Sequence, residues 1–327
     1  MLLYMINNAI TTINKDKENK NSSISVFGIN DCNKPIRNTQ KNVIKSKINK
    51  TQNKKMNGNI KRYNYKTIIL FPQNLGQKKT GTEKAPLQIN QFINNKTHII
   101  KKIKNSGNLF TNINKLYKLN NITKGKIINI GGDHSMCIAT IADTLNKYPD
   151  AKIIYFDAHA DINTYKSSNS KNYHGMPLSF ITGIDKDVRF NFIKNILPFE
   201  NLLYVGSRCF DKFEVSEIYK RNIKFITSDE INNNFTKSLK KIIDFVGKSP
   251  IHISFDVDSI DPKYIPSTGT PVKNGIELNN AITILDHLNN KNIVKLDISE
   301  LNLDIGSKND SKKSIINTEH LFHKFLS

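Results

Sequence analysis

The chain has 327 residues, with 49 Lys+Arg against 28 Asp+Glu for a formal net charge of +21, and it contains no Trp, 15 Gly and 10 Pro. That length holds one large or two ordinary domains around a buried core, and the composition excludes collagen-like and disulfide-scaffold proteins. No run approaches the ~18 consecutive apolar residues of a membrane span, so an integral membrane protein is excluded as well. The opening MLLYMINNAITTI is too short and too weakly apolar for a secretory signal. Cys32, Cys137 and Cys209 lie far apart in no CxxC spacing, which suits reduced thiols rather than disulfides or structural zinc.

The charge is unevenly spread. Residues 1–66 hold 14 Lys+Arg, 3 Asp+Glu and 14 Asn, with no sustained helical or strand period. So polar a segment cannot bury enough apolar surface to offset its ordering entropy, and 1–66 reads as a disordered extension ahead of a domain over 67–327. The excess of Lys reads as a solvated surface, so neither a nucleic acid nor a membrane is an expected partner. An acid-poor start suits a mitochondrial address, but two arginines and no amphipathic helical period favour the cytoplasm.

From Thr67 onward, strand-like and helix-like segments alternate. TIILF at 67–71 and KIINI at 126–130 read as strands, followed by a helical period over 135–148. Further strands are KIIYF at 152–156, NLLYV at 201–205, IKFI at 223–226, IHISF at 251–255 and IVKLDI at 293–298. Helices are expected over 235–247, 277–290 and 318–326. Nearly continuous apolar strands separated by helices predict an α/β domain: a parallel sheet flanked by helices on both faces.

In such sheets the functional groups gather beyond the C-terminal strand ends, and four strands here end in acids or imidazoles. KIINI runs into Gly131-Gly132-Asp133-His134-Ser135, and KIIYF into Asp157-Ala158-His159-Ala160-Asp161. IHISF runs into Asp256-Val257-Asp258, and IVKLDI into Ser299-Glu300-Leu301-Asn302. Alternate residues of an extended chain share a face, so Asp157, His159 and Asp161 converge, as do Asp256 and Asp258. Carboxylates so crowded repel one another unless cations neutralise them. Two divalent metals would do so, and hard oxygen ligands with two imidazoles and no thiolate favour Mn²⁺ over Zn²⁺. Such a pair can ionise water at neutral pH.

GGDHS, DAHAD and SFDVDSIDP resemble the three metal-binding signatures of the ureohydrolase family, and within it those of the arginases. GQKKTGTEKAP at 76–86 and STGTPVKNG at 267–275 extend the resemblance over residues 67–327. The resemblance implies a three-layer α/β/α fold and two Mn²⁺ per subunit. His134, Asp157, Asp161 and Asp256 would hold one ion, and Asp157, His159, Asp256 and Asp258 the other. It further implies that a metal-bridging hydroxide, oriented by Asp161, attacks the substrate guanidinium. Glu300 would pair with that guanidinium, and His174 would protonate the leaving amine. Asn163, Ser170 and Asn172 match residues that read the substrate α-carboxylate, which favours L-arginine over agmatine. Asp211 matches the acid that receives the α-ammonium, Glu214 a neighbouring acid, and Thr270 a threonine beside the guanidinium. The expected activity is cleavage of L-arginine to L-ornithine and urea, by a trimer or hexamer. The alternatives are an agmatinase or other guanidino or formimino hydrolase, and a non-catalytic arginase-like binding protein. Two positions depart from the family pattern: Cys209 stands where an Asp is usual, and Leu303 where a Pro is usual.

Overall fold

The structure, a computed structural model, describes residues 66–93 and 97–327. The expected extension lies outside the described residues except for Lys66, which opens the first strand. Eight strands follow in chain order: β1 (Lys66–Phe71), β2 (His98–Lys102), β3 (Ile127–Gly131), β4 (Lys152–Phe156), β5 (Leu202–Val205), β6 (Lys224–Ile226), β7 (Ile251–Asp256) and β8 (Ile293–Ser299). They form one sheet in the order β2-β1-β3-β8-β7-β4-β5-β6, and every pairing is parallel. The helices are α1 (Ala85–Ile89), α2 (Leu109–Ile122), α3 (Cys137–Lys147), α4 (Pro177–Ile181), α5 (Lys212–Lys220), α6 (Ser228–Asn233), α7 (Phe235–Val246), α8 (Leu278–Asn289) and α9 (Lys308–Leu326).

The period of two along each strand divides the core. Ile128, Ile130, Ile154, Phe156, Ile253, Phe255, Leu296 and Ile298 face α7, α8 and α9. Ile127, Ile153, Tyr155, Leu202 and Tyr204 face α2 and α3 on the other side. Helices therefore cover both faces, giving the expected α/β class. Local chemistry sets the helix starts. The Asn108 side chain accepts the Thr111 N–H at the head of α2, and Ser307 with Asp310 forms a reciprocal cap on α9.

The sequence reading missed β2. This edge strand, HIIKK, pairs with β1 alone and is half exposed, so its two lysines and short length hide the strand signal. Among the described residues no helix is long and apolar enough to cross a membrane.

What matters for function is that β3, β8, β7 and β4 are consecutive neighbours at the middle of the sheet. Their C-terminal ends, the four that run into acids and imidazoles, lie side by side. Phe255 anchors this centre, stacking on Phe156 at 4.8 Å between centroids and meeting Phe322 edge-on at 5.0 Å. Phe255→Ala is expected to cost about 3–5 kcal/mol of folding stability. Urea denaturation reads this directly, and a loss below about 1 kcal/mol would mean that the centre repacks around the cavity.

Candidate metal centre and surrounding loops

Beyond β3 the chain bends sharply against the loop after β1. A Cβ on Gly132 would lie 1.6 Å from the Gln73 carbonyl oxygen, so only glycine permits this approach. Asp133 turns away from the acidic centre, and its carboxylate accepts the N–H groups of Gly76 (2.8 Å) and Ser135 (3.0 Å). Burial, then the nearby charge of Glu300, pushes its pKa up to about 6. His134 follows, fully buried and stacked on Tyr155 at 4.7 Å.

Nδ1 of His134 lies 3.0 Å from Asp157 Oδ2, 3.0 Å from Asp161 Oδ2 and 3.4 Å from Asp256 Oδ2. Nδ1 of His159 lies 3.4 Å from Asp157 Oδ1 and 3.1 Å from Asp258 Oδ2. Two groups of mutually close donor atoms result, His134–Asp157–Asp256 and Asp157–His159–Asp258, each within 4.8 Å. Asp157 belongs to both and Asp256 to the first. Backbone amides fix the carboxylates: His159 N–H on Asp157 Oδ1 at 2.7 Å, Asp258 N–H on Asp256 Oδ1 at 2.7 Å, and Ala158 N–H on Asp258 Oδ1 at 3.1 Å. Asp157 Oδ2, though buried, has no well-aligned hydrogen-bond donor among the described residues, His134 Nδ1 at 3.0 Å being its nearest basic neighbour. Burial first, then the charges of Asp161 and Asp258, pushes Asp157 up to about 6. Asp256 is driven up by burial and by the charges of Asp258 and Asp157. Buried, mutually repelling carboxylates facing two imidazoles fit divalent cations.

Asp161 and Glu300 both occupy the left-handed region, with φ of 51° and 65°. For Glu this conformation is costly, and it persists only where the surroundings impose it. The surroundings at Glu300 are dense. Its N–H donates to the Gly132 carbonyl at 2.9 Å, while its carboxylate accepts the His134 N–H at 2.7 Å and the Gln77 side-chain amide at 2.8 Å. His174 places Nδ1 3.1 Å from the same carboxylate. Burial alone would lower the His174 pKa, but the charge and hydrogen bond of Glu300 outweigh it and raise it to about 9.

Around the centre, Asn163 donates from Nδ2 to Asp211 Oδ2 at 2.9 Å and accepts the Ser167 hydroxyl at 2.9 Å. Ser170 accepts the Asn172 N–H at 3.2 Å within a separate turn. Thr270 donates its hydroxyl to Asp258 Oδ2 at 3.0 Å. Glu214 is buried at the head of α5, where its carboxyl accepts the N–H groups of Asp211 (2.9 Å) and Ile162 (3.3 Å). Burial raises it to about 8, and it serves as a brace between two loops. Cys209 is exposed and in no disulfide, and its side chain hydrogen-bonds His159.

Several residues at the site carried no role in the sequence reading. Tyr155 donates its hydroxyl to Asp161 Oδ2 at 3.0 Å, and Ser254 meets His134 Nε2 at 2.9 Å. Each stands two residues before a carboxylate on its strand, so the period of two could have found both. Arg208 ties the surrounding loops together, donating to the carbonyls of Gly206, Asp258, Ser259, Val272 and Lys273.

The family model described as Arginase family matches residues 65–322. The chain belongs to the arginase family. It is 33% identical to the arginase of Entamoeba histolytica over 270 residues, covering 72% of this chain and 90% of that protein. It is 36% identical to the arginase of Saccharomyces cerevisiae over 190 residues, covering 54% of this chain and 57% of that one. Among solved structures, it superposes on the Entamoeba histolytica arginase bound to L-ornithine with a TM-score of 0.72 and 28% identity, covering 79% of this chain and 98% of that one. Bacillus subtilis arginase gives 0.71 and 29% over the same shares of the two chains. An agmatinase structure from Burkholderia thailandensis, at 0.66 and 19%, shares the fold. The protein is thus an arginase-like ureohydrolase, as its signatures imply.

Glu300→Gln is expected to lower the His174 titration from about 9, because the largest raising influence is lost and only the charges of Asp161 and Asp133 remain to oppose burial. NMR titration of the His174 ring reads this shift. An unchanged value would mean that Glu300 does not hold the proton on that ring.

Proposed function

We propose that this arginase cleaves L-arginine to L-ornithine and urea with two Mn²⁺ ions. His134, Asp157, Asp161 and Asp256 would hold one ion, and Asp157, His159, Asp256 and Asp258 the other. The observation that carries this reading is the sharing of Asp157 between two ligand groups, its Oδ2 and Oδ1 turned to different imidazoles. When bound, such a pair supplies a water ionised at neutral pH and stabilises developing negative charge.

The chain's own residues supply the remaining chemistry. Glu300, whose pKa is held low by His174 despite burial, offers carboxylate lone pairs to a planar guanidinium. Asp161 would orient the attacking oxygen by accepting a hydrogen bond from it. His174 carries a proton at neutral pH and donates it to the departing amine as the C–N bond breaks. At the far end of the substrate, Asn163, Ser170 and Asn172 present neutral donors to the α-carboxylate, and Asp211 receives the α-ammonium. The Asn163–Asp211 hydrogen bond supports this division, since it sets a donor and an acid side by side. Glu214 contributes by bracing Asp211 and Ile162, and Thr270 would lie beside the guanidinium while its hydroxyl holds Asp258.

A site built to hydrogen-bond a polar group rejects an analogue lacking it by up to about 10⁴-fold, because its own buried partners are left unpaired. Urea release by the Mn²⁺-loaded protein should therefore be far faster with arginine than with agmatine, which lacks the carboxylate, or 4-guanidinobutyrate, which lacks the α-ammonium. Asn163→Ala should lower kcat/KM for arginine by about ten- to a hundred-fold, the value of a hydrogen bond or two to a charged group, with metal content unchanged. Equal turnover of arginine and agmatine would contradict the substrate assignment while leaving the hydrolase intact.

A further inference from the structure

We propose that a buried polar chain behind the metal centre, running from Ser254 through Cys137 to Asp297, fixes the tautomer and ring orientation of His134. The inference rests on the metal reading above.

The starting point is an anomaly in the sheet. On the face toward α3, the two central strands alternate polar rather than apolar residues: His252 and Ser254 on β7, Lys295 and Asp297 on β8, all 3% exposed or less. Burying so many polar groups is costly unless each is satisfied, and metal binding by Asp256 and Asp258 needs none of them. They are nevertheless satisfied. Asp297 accepts Asn129 Nδ2 at 2.8 Å on one oxygen, and on the other the His252 Nε2–H at 2.9 Å and the Thr140 hydroxyl. His252 Nδ1 in turn meets the Thr144 hydroxyl at 2.8 Å. Lys295 pairs with Asp143 at 2.6 Å and donates to the Thr140 carbonyl.

From Asp297 the chain leads to the metal centre. Cys137 Sγ lies 3.8 Å from Asp297 Oδ2 and 2.9 Å from Ser254 Oγ, and Ser254 Oγ lies 2.9 Å from His134 Nε2. Burial pushes Asp297 up, but the His252 imidazole and Thr140 hydroxyl outweigh it, so it remains an acceptor. A chain ending in an obligate acceptor has one direction. Cys137 donates its S–H to Asp297, Ser254 its O–H to the sulfur, and His134 its Nε2–H to Ser254. The lone pair of His134 is thereby left on Nδ1, the nitrogen that faces Asp157, Asp161 and Asp256. Partners on the far nitrogen of a metal-binding imidazole fix its tautomer and orientation in this manner. Cys137 is a positioning residue, since it touches neither the metal ligands' carboxylates nor the proposed substrate site.

Competition titration of Mn²⁺ against a chelating indicator, on the full chain, tests this. Cys137→Ala should weaken binding of one of the two ions by about ten-fold or more, the usual effect of losing an outer-sphere partner. Cys137→Ser, which keeps a donor and an acceptor at the same place, should restore wild-type affinity. Cys137→Val substitutes for Ala if the smaller side chain unfolds the protein. Melting of the metal-free proteins separates this from simple loss of packing, which would weaken both ions alike and follow the melting temperature. Wild-type affinity for both ions in Cys137→Ala, equal weakening of both, or failure of Ser to restore binding overturns the inference. A wild-type protein that binds no divalent ion overturns the metal reading and this inference together.

Discussion

The arrangement at the C-terminal edge of the sheet turns on the buried carboxylate of Asp157, whose two oxygens face different imidazoles across the ends of β3 and β4. Asp161, Asp256 and Asp258 crowd around it, and like charges this close and this buried cannot all stay ionised without positive charge between them. The rest of the centre answers that constraint. Amides of His159, Ala158 and Asp258 hold the acids in place. Asp161 and Glu300 accept an unfavourable backbone conformation to bring their side chains inward. The cost is tolerated because the ends of β3 and β8 are clamped to each other through Gly132, His134 and Glu300.

Much of this was legible in the sequence, for identifiable reasons. Strands buried on both faces read as apolar runs, and six of the eight in the sheet, all but the edge strands β2 and β6, are of that kind. Acids placed immediately after such runs must emerge at one edge of a parallel sheet, so DAHAD and DVD by themselves imply their convergence. What stayed hidden depends on long-range register. That β3, β8, β7 and β4 are neighbours is a property of the strand order, and the sequence order gives no hint of it. The contacts of Gln77 with Glu300 span 223 residues, and nothing local to either predicts them. IHISF and IVKLDI read as apolar strands because their alternate residues fill the α8 and α9 face. Their polar residues, His252, Ser254, Lys295 and Asp297, line the opposite face, where the buried chain to His134 runs.

The loops at the far side of the centre follow a different logic. Turn and cap chemistry holds them: Glu214 braces Asp211 and Ile162 from the head of α5, and Arg208 gathers carbonyls from three segments. Polar loop residues such as Asn163, Ser170 and Asn172 carry no periodic signal, so only their resemblance to arginase positions gave them roles. The geometry joins Asn163 to Asp211 and leaves Ser170 and Asn172 in a turn of their own. In the proposed function, specificity would fall to these loops, and the chemistry to the strand ends together with His174 on its own turn.

The central claim is that one carboxylate serves two metal ions, and elemental analysis of purified protein tests it most directly. Wild-type protein loaded with Mn²⁺ and freed of excess metal should carry two ions per chain, and Asp157→Ala should carry fewer than one. A wild type that retains a single ion, or an Asp157→Ala variant that retains both, would contradict it.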